Sequence, residues 1–75
     1  MRVHVKCMGV LKPKTPEGNA LELPDGATLK EMMDELDIPL DRIQVVSVNG
    51  SLVHDLTRQL NADDDLTVLA PVGGG

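Results

Sequence analysis

Not one phenylalanine, tyrosine or tryptophan occurs among these 75 residues. Single-stranded bases stack on aromatic rings, so that platform for nucleic acid is missing. The basic excess that holds phosphates is missing too: twelve acidic residues stand against seven basic ones, a net charge of −5. No nucleic-acid partner is expected. An acidic surface suits a protein partner with a basic groove, where charge speeds encounter. It also serves solubility without any partner. Cysteine is reduced to Cys7, which excludes an intrachain disulfide and a cysteine-rich metal site. A lone thiol fits a reducing compartment. No apolar run approaches the ~20 residues of a membrane span, and no charged-then-apolar leader opens the chain. A soluble, cytoplasmic protein without membrane contact is the expectation.

Without aromatics, the core must come from Leu, Val, Ile and Met. A chain of this length makes one domain. It buries only about 60% of its unfolded surface, so its margin of stability is narrow. Residues 2–11 alternate, with Val3, Val5 and Cys7 on one face and Arg2, His4 and Lys6 on the other, as in a half-buried strand. Gly9 weakens the far end and can mark a bulge. Two prolines and a glycine make residues 12–19 a loop. Residues 20–23 read as a second strand, with Leu21 and Leu23 on one face, paired with the first as an antiparallel hairpin. Pro24-Asp25-Gly26 is a turn by composition.

Thr28 and Glu31 then have the spacing of a capping box, in which each side chain satisfies the other residue's free backbone N–H. Leu29, Met32, Met33 and Leu36 follow at i, i+3, i+4 and i+7, with Lys30, Glu31, Asp34 and Glu35 opposite. The spacing predicts a helix to about Asp37, stopped ahead of Pro39. The β-branched run over 43–48 predicts an interior strand. Asn49-Gly50 predicts a hairpin turn, with residues 51–54 as the short return. Residues 55–62 read as irregular, anchored by Leu56 and Leu60. Asp63-Asp64-Asp65 reads as a turn of like charges outside any element. Residues 66–70 form the last strand, which Pro71 ends. One apolar helical stripe laid on a mixed sheet of four to five strands is an α+β roll. Its first and last strands would be neighbours in the middle of the sheet. The expected division is a domain over 1–70 and a flexible tail over 71–75.

That tail, Pro71-Val72-Gly73-Gly74-Gly75, is what the domain would present. Three glycines can enter a slot where any Cβ would clash. Their carboxylate is a poor electrophile until activated; adenylated or thiolated, it becomes an acyl donor or a sulfur carrier. The plainer alternative is a frayed end. Other chemistry is thin. Cys7 sits at a buried strand position and reads as a structural thiol. His4 and His54 lack partners at metal spacing. The three aspartates are not followed by spaced calcium ligands. No metal is expected. There is no phosphate-binding loop either, so the chain cannot be its own adenylating enzyme.

Three stretches narrow this to a family. Leu21-Glu22-Leu23-Pro24-Asp25-Gly26-Ala27-Thr28-Leu29 resembles the L-x-L-P-x-G-A-T-[LV] opening of the MoaD/ThiS sulfur carriers. Val46-Ser47-Val48-Asn49-Gly50 resembles their V-x-V-N-G hairpin. The run from Asp64 to Gly75 resembles their D-x-[LV]-x-[FVL]-x-x-P-V-x-G-G ending. Together they cover essentially the whole chain.

The resemblance implies a β-grasp, ubiquitin-like fold and a site in the tail. Gly75 would carry the reacting carboxylate; Pro71, Val72, Gly73 and Gly74 would thread the partner's active site, with Val72 in an apolar pocket. No cofactor would be bound. A ubiquitin-activating-type enzyme would spend ATP to adenylate Gly75, and a sulfur donor would convert the adenylate to a thiocarboxylate. Molybdopterin synthase large subunit or thiazole synthase would then receive the sulfur. Pro71 and the L-P-x-G-A-T run lean towards the molybdopterin branch. On this view the chain is a non-catalytic carrier, the small subunit or co-substrate of a sulfurtransferase, monomeric when free. The alternatives are a ubiquitin-like modifier joined through Gly75 to target lysines, and an interaction module with an inert tail. Two departures stand out. Molybdopterin-branch relatives often place phenylalanines beside the docking surface, where this chain has Met8, Val68 and Leu69. Position 73 is Gly where Ala or Ser is common.

Overall fold

The computed structural model describes residues 1–39 and 45–69. Its elements are β1 (Arg2–Met8), β2 (Ala20–Glu22), α1 (Leu29–Glu35), β3 (Val45–Val48), β4 (Ser51–Leu52) and β5 (Asp65–Leu69). The five strands form one sheet in the order β2-β1-β5-β3-β4. Strands β1 and β5 are central and parallel, with Val5 opposite Leu66 and Met8 opposite Leu69. The other pairings are antiparallel. This is the expected α+β roll of the β-grasp type, with first and last strands side by side.

Period-two alternation decides which face is covered. Val3, Val5 and Cys7 of β1, Val46 and Val48 of β3, and Leu66 and Val68 of β5 all point to the helix side and are buried. The helical stripe meets them with Leu29, Met32 and Met33, each fully enclosed. Each such side chain contributes roughly 1.5–3 kcal/mol by leaving water. The unbranched methionines fill the irregular gaps that rings would otherwise occupy.

The start of α1 accounts for its free N–H groups one by one. Leu29 N–H donates to the Arg58 carbonyl (3.0 Å) and Lys30 N–H to the Leu56 carbonyl (3.0 Å). Glu31 N–H donates to Thr28 Oγ1 at 3.3 Å. Residues 55–60, which sequence alone leaves irregular, therefore work as a cap for the helix. The capping box is made only in part: the Thr28 hydroxyl donates to Glu31 Oε1 (3.3 Å), and the carboxylate meets the side chain rather than the backbone.

Element ends differ from the expected ones for local reasons. β1 stops at Met8 rather than residue 11, because Gly9 turns to φ 65° and a 3-10 turn over Gly9–Lys14 follows. That turn drives Leu11 into the core. β2 ends one residue early, and Leu23 turns inward ahead of Pro24. α1 ends at Glu35, short of Asp37. There Asp37 adopts φ 57°. Asp37 N–H reaches back to Asp34 (3.1 Å) and Ile38 N–H to Met33 (2.9 Å). This is the Schellman ending that glycine usually makes. β4 has two residues rather than four, although Val53 N–H still bonds the Val46 carbonyl at 2.9 Å. Residues 43–44 of the expected third strand, residue 70 of the last, and the tail over 71–75 lie outside the described residues. Among the described residues no helix is long and apolar enough to cross a membrane.

Candidate functional site

Gly75, Gly74, Gly73, Val72 and Pro71 all lie outside the described residues, so the geometry on view is that of their base. The base is β5, hydrogen-bonded on both flanks. Its last described residue, Leu69, sits between Met8 of β1 and Val45 of β3. These three side chains make an apolar row on the open face of the sheet. Met8 is 41% exposed, and Leu69 and Val45 are half-buried. The next row along the same face is Lys6, Thr67, Ser47 and Leu52, of which Leu52 is 64% exposed. Of the three positions where the resemblance implies docking side chains, Met8 and Leu69 face outward. Val68 does not: it is 0% exposed, turned into the core by its neighbour's orientation.

The foot of β5 is fixed by a residue that sequence reading misplaces. Asp64 reads as one of three exposed like charges, yet it is 6% exposed. Its Oδ1 accepts from Asn49 Nδ2 (3.0 Å) and its Oδ2 from Asn61 N–H (2.8 Å). Its backbone carbonyl accepts from His4 N–H at 2.9 Å. Asn49 completes the clasp: Asn49 Oδ1 accepts from Asp65 N–H (2.9 Å) and Asn49 N–H donates to the Asp65 carbonyl (2.7 Å). A buried carboxylate is tolerated because its lone pairs meet donors. Asp65 is also corrected, since it opens β5 opposite His4 instead of lying in the turn. Asn49 at φ 53° and Gly50 at φ 86° are the expected primed turn. The conspicuous turn signal Asn-Gly hid the second task of the Asn49 side chain.

The other candidates are readily placed. His4 Nε2 lies 3.8 Å from Asp63 Oδ1, both largely exposed. Among the described residues, no three His, Cys, Asp or Glu side chains come together as metal ligands would. Cys7 is buried, and its backbone is clasped by Thr15: Cys7 N–H donates to Thr15 Oγ1 (3.0 Å), which donates to the Cys7 carbonyl (3.3 Å). Burial pushes the thiol pKa up, against a smaller downward pull from Thr15. A raised folded pKa means that the unfolded chain gives up this proton first. Stability from this group is therefore present below the unfolded thiol pKa and declines as pH rises through it. Iodoacetamide at pH 8 is expected to leave native Cys7 unmodified and to alkylate it readily in guanidinium. Equal rates in both would mean that the thiol is open to solvent.

A protein-family profile described as the ThiS family matches residues 5–75. The chain belongs to the ThiS family. Among curated proteins none matches by sequence. Among solved structures, SAMP1 from Haloferax volcanii is similar over 100% of both chains, with 24% identity and a TM-score of 0.74. A crystal structure of H. volcanii small archaeal modifier protein 1 is similar over 95% of this chain and 98% of that one, with 22% identity and a TM-score of 0.72. A chain from the protein–protein complex of subunits 1 and 2 of the molybdopterin-converting factor from Helicobacter pylori is similar over 100% of both chains, with 25% identity and a TM-score of 0.63. These likenesses show the ubiquitin-like β-grasp fold for this ThiS-family chain.

Proposed function

We propose that this ThiS-family protein is a carrier of sulfur on its terminal carboxylate, with residues 1–70 as the platform and 71–75 as the working tail. The observation that carries the reading is the Pro-Val-Gly-Gly-Gly sequence that comes one residue, Ala70, after a central strand of a β-grasp domain. The chemistry would run on a partner enzyme. The Gly75 carboxylate attacks the α-phosphorus of ATP and releases pyrophosphate. A persulfide sulfur then displaces AMP from the acyl carbon. A thiol reductant cleaves the acyl disulfide and leaves the thiocarboxylate. The partner supplies the charge stabilisation, and this chain supplies a carboxylate without side chains around it. The outward row Met8, Leu69 and Val45, beside the root of the tail, would dock the body. Docking must contribute most of the affinity, because ordering a glycine tail costs entropy. The H. pylori chain, solved in complex with a second subunit, supports a partner of the molybdopterin synthase large-subunit kind, with thiazole synthase as the other candidate acceptor.

A second reading, a modifier joined through Gly75 to target lysines, is favoured by the likeness to small archaeal modifier protein 1. Intact mass after incubation with the host's adenylating enzyme, ATP and a sulfur donor tests the first. Gain of the mass difference between sulfur and oxygen, located at Gly75 by fragmentation, is the expected result. An unchanged mass, with the enzyme active on another carrier, would sink it. Gly-Gly remnants on lysines of other proteins would turn the reading to the modifier.

A further inference from the structure

Charge is unevenly distributed in this acidic chain. Residues 1–16 hold Arg2, Lys6, Lys12 and Lys14 and no acidic residue, while residues 17–75 hold the other three basic side chains and all twelve acidic ones. The two parts carry +4 and −9, which give the net −5. Two of the four cations are matched close by, Arg2 by Glu22 (2.9 Å) and Lys14 by Asp37 (3.5 Å). Lys6 and Lys12 have no carboxylate at ion-pair distance among the described residues. The 3-10 turn after β1 folds back so that Lys6, Lys12, Thr15 and Asn19 line one open depression of about 240 Å³, with Cys7 beneath. Lys6 pairs with Thr67, one row from Met8 and Leu69 on the open face. The positive depression therefore borders the apolar row at the root of the tail.

We propose that this depression is the charged half of the docking surface, and that the adenylating partner meets it with aspartate or glutamate carboxylates. The proposal rests on the carrier reading above. The Thr15 hydroxyl is taken up by the Cys7 backbone, which leaves two ammonium groups and the Asn19 amide as donors for an incoming carboxylate. Net charge alone points to a basic partner, but the depression near the tail has the opposite sign, while Asp63 and Asp65 lie on the far side of Lys6. The asymmetry also orients the encounter. An acidic partner surface attracts the depression and repels the helix layer with Asp34 and Glu35, so the chain arrives tail side first. Nucleic acid fits poorly, because the patch is small, the chain is acidic and no ring is available for stacking.

The test measures association of the full chain with the host's adenylating enzyme by stopped flow, beside ATP–pyrophosphate exchange. Lys6→Glu with Lys12→Glu is compared with Lys30→Glu with Arg58→Glu, which changes net charge equally but on the helix side. All four side chains reach solvent, and circular dichroism checks the folds. The first pair is expected to slow association at least about tenfold at low salt, with the difference lost near 1 M salt, where the Debye length is about 3 Å. The second is expected to stay within about twofold of the unaltered chain. Equal slowing by both pairs, or no slowing by the first while exchange proceeds, overturns the depression as a docking element and leaves the carrier reading intact. No exchange with the unaltered chain overturns the carrier reading and this proposal with it. Retention of single-stranded DNA that the first pair abolishes would replace the acidic protein by nucleic acid.

Discussion

Deleting Gly74 and Gly75 is expected to abolish adenylation while leaving the melting temperature where it was. The truncated chain still ends in a glycine carboxylate, now on Gly73, so the reacting group is chemically the same. Only its reach changes, by up to about 7 Å for two extended residues. Misplacement of about 1 Å can already cost a hundredfold when two groups must meet in line. The drop in kcat/KM for pyrophosphate exchange should therefore exceed about a thousandfold. Gly74 and Gly75 have no side chain to bury, which is why stability should not move. If the truncated chain kept even a tenth of its activity, the length of the tail would not set its reaction; an inert tail instead predicts no adenylation of either chain.

Asp64→Ala is the second large effect, and it falls on stability. It removes the acceptor of Asn49 Nδ2 and of Asn61 N–H at one stroke. A buried donor left without a partner costs about 1–3 kcal/mol. Here the two donors belong to exposed residues, Asn49 and Asn61, where water can replace the carboxylate in part, so their loss together should cost about 2 kcal/mol. At 0.05–0.15 kcal/mol per residue the whole fold holds only about 4–11 kcal/mol. A fall in melting temperature of about 10 °C follows for a domain of this size. Asn49→Ala removes the opposite side of the same clasp. A double-mutant cycle between the two should show coupling above about 1 kcal/mol. Additive losses would mean that the two side chains act separately and that the clasp is not one unit.

The parts of this fold legible in the sequence were those set by local period. The alternation around Val3, Val5 and Cys7 and the stripe from Leu29 to Leu36 identify strand and helix, because each face is either wet or covered. Asp64 was not legible for the opposite reason. A carboxylate becomes tolerable inside only when donors from residues 49 and 61 arrive beside it, and those meetings exist only in the folded chain. The ends of elements failed similarly. Gly9 and Asp37 take left-handed backbone and cut β1 and α1 short of their apolar patterns. Val68 and Leu69 are adjacent, and only the register of β5 decides which of them faces a partner. The tail was legible as a motif. The basic depression beside its root was not, because an average charge conceals two halves of opposite sign.

The parallel pairing of β1 and β5 has a mechanical side. Both strands run the same way, from Arg2 to Met8 and from Asp65 to Leu69. Tension on the tail draws β5 forward along its own axis, while the foot of β1 is held at the opposite end of the sheet. The ladder is then loaded in shear, with its bonds to β1 and β3 strained together instead of parting one after another. A pull on the far end of β5 is thus resisted by the whole ladder at once.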